Sequence, residues 1–235
     1  MSDFTSLHSK TFNEFKEIDM HAYQLIVDFY ASHKEDILRL RFHEYFELHL
    51  AYIKALLEIG LYQNMLKICD ETIEAVIQHN IQYYQGEDIY RKLLLQKTAA
   101  HYNLLEYHKA EFILKELIKI NPKDGNAIRF FRKNQLHRPP SFVQNTRNVS
   151  LLLFLFTAMV ICFEMMYFGF GKSHSEMGMM IEIARNIVFL SGWLILILGD
   201  GIFRWKVFKS TKSFVEKIQL EKKKKVEVPV FSKKE

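Results

Sequence analysis

The chain has little of what interrupts a helix or cross-links a fold. Its 235 residues include four prolines, nine glycines and two cysteines. Scarce turn residues, abundant Leu, Lys, Glu and Ala, and little alternation of apolar with polar residues predict an all-α fold. One cysteine, Cys69, lies in a helical region and the other, Cys162, lies in an apolar run, so no disulfide framework is indicated.

Motifs for catalysis and for secretion are also missing. The histidines of HEYFELH, His43 and His49, are six residues apart, whereas a helical zinc-protease site needs a spacing of four. The sequence has no glycine-rich phosphate loop and no recognisable Ser-His-Asp set. We therefore expect no enzymatic activity, no cofactor and no resident metal. The opening MSDFTSLHSKTFNEFKEIDM has no apolar core, so we expect no signal peptide and a helical region that stays on the side of synthesis.

Amphipathic helices joined by short turns fill most of the first 134 residues, which makes consecutive helices antiparallel neighbours. In LEYHKAEFILKELIKINPKDGNA, a tyrosine opens the second helix of a pair, a small residue follows three positions later, and a proline closes the pair. These residues are Tyr107, Ala110 and Pro122. Gly60 and Tyr62 form a similar turn earlier, and Asp124 can cap a last short helix.

This pattern resembles a tetratricopeptide repeat over roughly residues 35–134. The first helix departs from the family, because Leu94, Lys97 and Thr98 replace its Trp, Leu and Gly, and because His101 occupies the usual tyrosine place. The two tyrosine turns are also 45 residues apart, and the family repeats every 34. The excess falls in QHNIQYYQGED.

The resemblance implies stacked helix pairs and a concave surface that binds a peptide or a partner helix. Its candidate groove residues are Tyr62, His101, Tyr107 and Ala110. A generic helical bundle is the alternative. We predict that residues 1–134 form this cytoplasmic domain and that residues 135–148 form a linker.

Two long apolar runs follow the helical region. Residues 149–170 and 187–206 reach the length of about 20 residues that crosses a hydrocarbon core, and residues 171–186 form a short loop between them. We predict a transmembrane hairpin, with a buried soluble helix pair as the alternative. Gly192 and Gly199 share one face and allow close helix approach. Lysine and arginine flank both outer ends, so both termini should be cytoplasmic. We expect a bacterial inner membrane, with a eukaryotic organelle membrane as the alternative.

Three polar residues stand out in the apolar runs: Glu164, Asp200 and Arg204. Ionisable groups inside a span are costly and usually face protein or a cavity. Arg204 lies four residues after Asp200, which favours an ion pair within one helix. The second helix offers Glu164 three partners: Arg185, Asn186 and Ser191. A proton or ion path is the alternative to structural pairing.

Residues 207–235 form a basic tail. From Arg204 onward, eleven Lys or Arg face four Glu, a net charge of +7, while the whole chain carries +5. Apolar residues interleaved with the lysines predict a juxtamembrane helix that lies on an anionic leaflet. The candidate headgroup contacts are Lys206, Lys209, Lys222, Lys223, Lys224 and Lys225. We do not expect nucleic-acid binding, because the membrane already supplies an anionic surface.

These features together predict a membrane-anchored adaptor or scaffold whose cytoplasmic domain binds a protein partner. One alternative is a two-span sensor-effector that oligomerises and permeabilises the membrane, as in bacterial defence or toxin systems. Another is an accessory subunit of a transporter complex. The hairpin could also form a homo-oligomer.

Overall fold

The computed structural model describes residues 3–168 and 176–227, with side chains over 10–166 and 178–224. The all-α prediction is confirmed, because the structure is 83% helical with almost no strand. The chain divides into two units, residues 1–134 and 135–235. The predicted loop residues 171–175 and the tail residues 228–235 lie outside the described residues.

The first unit is a succession of helices with one small hairpin of strands. The helices are α1 (Asp3–Lys16), α2 (Tyr23–Ser32), α3 (Lys34–Leu38), α4 (Phe42–Glu58), α5 (Tyr62–Gln78), α6 (Ile89–Asn103), α7 (Tyr107–Ile120) and α8 (Gly125–Leu136). The antiparallel strands β1 (Tyr83–Tyr84) and β2 (Glu87–Asp88) lie between α5 and α6. Helix α8 ends two residues beyond the boundary of the unit.

Helix α4 is the centre of the first unit because it is apolar on two faces. Its Phe46 and Ile53 belong to a core shared with α5 and α6, where Met65 and Leu93 are fully buried. Its Leu48 and its two alanines pack in a second core with residues of α1, α2 and α3. A helix with two apolar faces is covered on both sides, so α4 joins the N-terminal helices to the helix pairs that follow.

The turns α4–α5 and α6–α7 have the same backbone geometry. In each turn the second residue after the helix takes a positive φ, 83° at Gly60 and 61° at Leu105. In each turn the next amide donates to the carbonyl five residues earlier, at 2.9 Å in both. This is the Schellman motif, which satisfies carbonyls at a helix end. The similarity between Gly60–Tyr62 and Leu105–Tyr107 in the sequence is therefore a similarity of structure.

Leu105 is an unfavourable residue for its position. A left-handed backbone costs an L-residue about 1–2 kcal/mol, and the Leu105 side chain gains little from burial because it is 70% exposed. We expect Leu105→Gly to stabilise the chain by roughly 1 kcal/mol, measured as a rise of the thermal unfolding midpoint of the full chain in mild detergent. Leu104→Gly is the matched control and should lower the midpoint, because Leu104 has a φ of −77°. A lower midpoint for Leu105→Gly would contradict the expectation.

The hairpin β1–β2 accounts for the spacing that departs from the tetratricopeptide repeat. Tyr83 pairs with Asp88 and Tyr84 with Glu87, across a two-residue turn. Both turn residues have a positive φ, 51° at Gln85 and 80° at Gly86. Such a turn matches the twist of an antiparallel pair. The excess residues therefore form a compact insertion between two helix pairs.

The second unit consists of two helices, α9 (Ser141–Phe168) and α10 (Glu176–Glu227). Both are long and apolar enough to cross a membrane, with 18-residue windows of mean hydropathy 2.3 and 1.8. Only 11% and 17% of these windows is buried. A soluble core pair would be mostly buried, so this burial does not favour the soluble alternative.

The helix bounds differ from the predicted segments. Helix α9 begins at Ser141, inside the predicted linker, because Pro139 and Pro140 precede it and proline favours the start of a helix. Helix α10 is continuous through part of the predicted loop, the second apolar run and most of the tail. No proline lies between residues 176 and 227, and the isolated glycines there do not end the helix.

Helices α9 and α10 pack as an antiparallel pair. At one end Val143 of α9 contacts Phe203 and Val207 of α10. Toward the other end Glu164 of α9 contacts Arg185 of α10. The two helices therefore keep the same antiparallel register from the Val143 contacts to the Glu164 contact.

Candidate functional site

An open cleft of 530 Å³ lies on the first unit beside α4, the hairpin β1–β2 and α6. We call it the α4–α6 cleft. Its apolar lining comes from Leu57, Leu95 and Ala99, and its polar lining from Gly86, Glu87, Asp88, Arg91, Lys92 and Gln96. A concave surface with an apolar part and a few polar groups is the usual form of a binding site.

Ion pairs fix the charged rim of the α4–α6 cleft. Lys92 donates to Glu87 at 2.5 Å. Arg91 donates to both carboxylate oxygens of Asp124, at 2.5 Å from Nε and 2.9 Å from Nη2. The Arg91 guanidinium holds the pKa of Asp124 below its ordinary value. The rim therefore combines paired charges of both signs with an apolar lining.

Asp124 links the cleft to the start of α8. Its Oδ1 accepts hydrogen bonds from the amides of Asn126 and Ala127, at 3.0 and 3.3 Å. The cap predicted from the sequence is thus present. Since Asp124 is 7% exposed and also holds Arg91, the first turn of α8 and the cleft rim share one carboxylate.

The four predicted groove residues differ in their surroundings, and two of them are buried. Tyr62 lines a smaller cleft of 310 Å³ at the α4–α5 turn, and Tyr107 opens α7 with its ring against Tyr102. Ala110 is fully buried, and His101 is 8% exposed with Nδ1 at 2.6 Å from Glu106 Oε2. The small alanine and the histidine serve the packing of helices α6 and α7, so neither lines an open groove.

The lining residues that sequence reasoning missed lie mostly on α6. Leu95 and Ala99 are four residues apart on one face, while Leu93 and Ala100 are fully buried on another. The sequence shows apolar residues on both faces of this helix, which signals a second apolar surface. That signal could have identified Leu95 and Ala99.

Two further buried titratable groups, Cys69 and His49, lie inside the first unit. Burial raises the pKa of the Cys69 thiol to about 12, so it is not a thiolate nucleophile near neutral pH. Burial lowers the pKa of His49 to about 4, and its Nε2 lies 3.1 Å from the Tyr30 hydroxyl. Among the described residues, no group of three or more His, Cys, Asp or Glu could hold a metal ion.

Within the part of the hairpin that the structure describes, two ion pairs join its helices. Asp200 accepts hydrogen bonds from Arg147, at 3.2 Å from Nε and 2.9 Å from Nη2. The expected pair with Arg204 is therefore wrong, because the antiparallel register places Arg147 beside Asp200. Glu164 pairs with Arg185, one of the three partners considered from the sequence.

Small residues let α9 and α10 approach closely, as predicted. A Cβ atom on Gly199 would lie 2.5 Å from Oγ1 and 3.0 Å from Cβ of Thr146. A Cβ atom on Gly192 would lie 2.8 Å from the Phe154 ring. The buried hydroxyl of Ser150 donates to a carbonyl of its own helix, at 2.9 Å, so it needs no partner on α10.

The basic tail continues α10 rather than forming a separate element. Lys206 lies over the Phe142 ring and Lys209 over the Trp205 ring, each 5.1 Å from the centroid. Lys222 lies 18 residues after Arg204, about 27 Å along a helix axis. Contact of Lys222–Lys225 with the headgroups next to Arg204 would thus require a strong tilt of this segment, and lipid binding stays a prediction.

Comparison of the chain with protein-family models, curated proteins and solved structures finds no match.

Proposed function

We propose that this chain is a membrane-anchored adaptor whose first unit binds a protein partner. The α4–α6 cleft carries the proposal, because its apolar lining is open and its rim is held by the Arg91–Asp124 pair. The partner segment would place an apolar side chain against Leu95 and Ala99. The equivalent turns of α4–α5 and α6–α7 support the tetratricopeptide resemblance, in which stacked helix pairs bind peptides.

The second unit would hold the adaptor in a bilayer. Exposed apolar side chains along both helices support this, among them Leu152, Leu155 and Phe163 of α9 and Leu190 and Ile197 of α10. Lysine and arginine flank both outer ends of the hairpin, which supports cytoplasmic termini. A bacterial inner membrane is our preferred location.

A photo-crosslinking residue at position 96, in the α4–α6 cleft, tests partner binding in cells that express the full chain. We expect a discrete crosslinked protein, and we expect Leu95→Asp to reduce its yield roughly tenfold, since a charge would face an apolar anchor. Phe112→Asp is the matched control, because Phe112 is 68% exposed and lies on α7. Equal loss from both substitutions, or no crosslinked protein from position 96, would argue against the cleft.

The two alternative functions, a membrane-permeabilising sensor-effector and an accessory subunit of a transporter complex, gain no specific support. Glu164 and Asp200 suggested an ion path or a membrane-permeabilising effector, but each carboxylate pairs with an arginine of the neighbouring helix. Such pairing supports a structural role for both residues.

A further inference from the structure

The charges of the hairpin are grouped at its two ends. At one end lie Arg147, Asp200 and Arg204, and at the other Glu164, Glu182 and Arg185. Between these groups, residues 148–163 of α9 and 186–199 of α10 carry no charge. Because Arg147 pairs with Asp200 and Glu164 with Arg185, the residues of each group lie at the same level on α9 and α10. We call the stretch between the two groups the uncharged band.

The distance between the two groups along the helix axis is shorter than the thickness of an ordinary hydrocarbon core. Arg147 and Glu164 are 17 residues apart, about 26 Å along the helix axis. Arg185 and Asp200 are 15 residues apart, about 23 Å. A typical core is about 30 Å thick, so such a core would have to enclose at least one charged group.

The exposure of Glu182 argues against a hydrocarbon core that encloses the second group. The Glu182 side chain is 55% exposed, and Arg185, which lies 3.8 Å away, already pairs with Glu164. An exposed charge in hydrocarbon is costly. The first group carries one too, because the Arg147 side chain is 48% exposed although it pairs with Asp200. The exposed apolar residues at the level of the second group, such as Met166 and Met180, are tolerated at an interface.

We infer that the hairpin fits a thin bilayer, with a hydrocarbon core of about 23–26 Å. The inference rests on the proposed membrane anchoring. The partner it names is a phospholipid bilayer with short acyl chains. A hairpin that is too short for its bilayer cannot compensate by tilting. A thicker membrane has to thin around it, or flanking side chains have to snorkel or the hairpins associate, each at a cost per ångström of mismatch.

The test offers the full chain to phosphatidylcholine vesicles whose monounsaturated chains range from about 14 to about 22 carbons. The readout is the fraction of protein that resists extraction by alkaline carbonate. We expect the inserted fraction to be highest with the shortest chains and to fall about fivefold or more toward the longest, because mismatch carries a cost per ångström. A flat profile, or a maximum with long chains, would overturn the inference.

Two double variants distinguish the effect of the length of the uncharged band from the effect of the Glu164–Arg185 ion pair. Glu164→Leu with Arg185→Leu extends the band on α10 to Glu182, so the maximum should move to longer chains. Glu164→Arg with Arg185→Glu keeps both the pair and the band, so the wild-type profile should persist. An unmoved maximum in the first variant, or a moved one in the second, would overturn the inference. Absence of resistant protein from every vesicle would instead overturn the membrane anchoring itself.

Discussion

Gly199→Leu is expected to force α9 and α10 apart. Even a single Cβ atom at Gly199 would lie 3.0 Å from the Thr146 Cβ, which is attached directly to the backbone and cannot rotate away. Overpacking of this kind costs typically 1–3 kcal/mol, and a leucine adds further atoms. Unfolding of the full chain by titrating SDS into a mild detergent measures the loss. Tryptophan fluorescence reports it, because both tryptophans, Trp193 and Trp205, lie on α10 and the Trp193 ring centroid lies 5.8 Å from that of Phe154 of α9.

Gly201→Leu is the matched control for Gly199→Leu. A Cβ atom on Gly201 would meet nothing within 4 Å, and the residue is exposed. Leucine is a better helix former than glycine by about 1 kcal/mol, so the control should unfold at the wild-type SDS fraction or a higher one. Equal destabilisation by both substitutions would show that the close approach at Thr146 is not what holds the hairpin.

Arg185→Leu is expected to destabilise the hairpin by about 3 kcal/mol, because it leaves the Glu164 carboxylate without its cation. Both side chains of this pair are only 20% exposed, so solvent screens the lone charge poorly. Breaking one side of such a pair costs more than replacing both sides. The same SDS titration measures the effect.

Glu164→Leu with Arg185→Leu should recover most of the stability lost in Arg185→Leu. The double variant removes the unpaired charge and leaves two apolar side chains at the helix contact. Ala184→Leu is a control on the same turn, since Ala184 is exposed. A double variant as unstable as Arg185→Leu would mean that Arg185 stabilises the hairpin through contacts other than Glu164.

Much of the fold follows from patterns that are local in the sequence. The helix period, the glycine turn at Gly60 and the cap at Asp124 each depend on residues within a few positions of one another. The extent of α10 was harder to predict. Lysines and a change of hydropathy mark the edge of an apolar run, but neither interrupts a helix, so α10 continues to Glu227.

The candidate site was predicted less well because it depends on which helix faces meet. Ala110 and His101 are conspicuous in the repeat pattern, yet the packing of α6 against α7 buries both. The pairing of Asp200 depended on the register of α9, which places a residue 53 positions away closer than Arg204. Sequence spacing identifies neighbours within one helix and gives no register between two helices.

The two cysteines differ in burial, which allows selective chemical labelling of the native chain. Cys69 is fully buried, and burial raises the pKa of its thiol to about 12, so it should react slowly with a maleimide. Cys162 is exposed on α9, two residues before Glu164. A fluorophore would therefore attach to one defined point of the hairpin without any mutation. Its emission would report whether that point meets lipid or water.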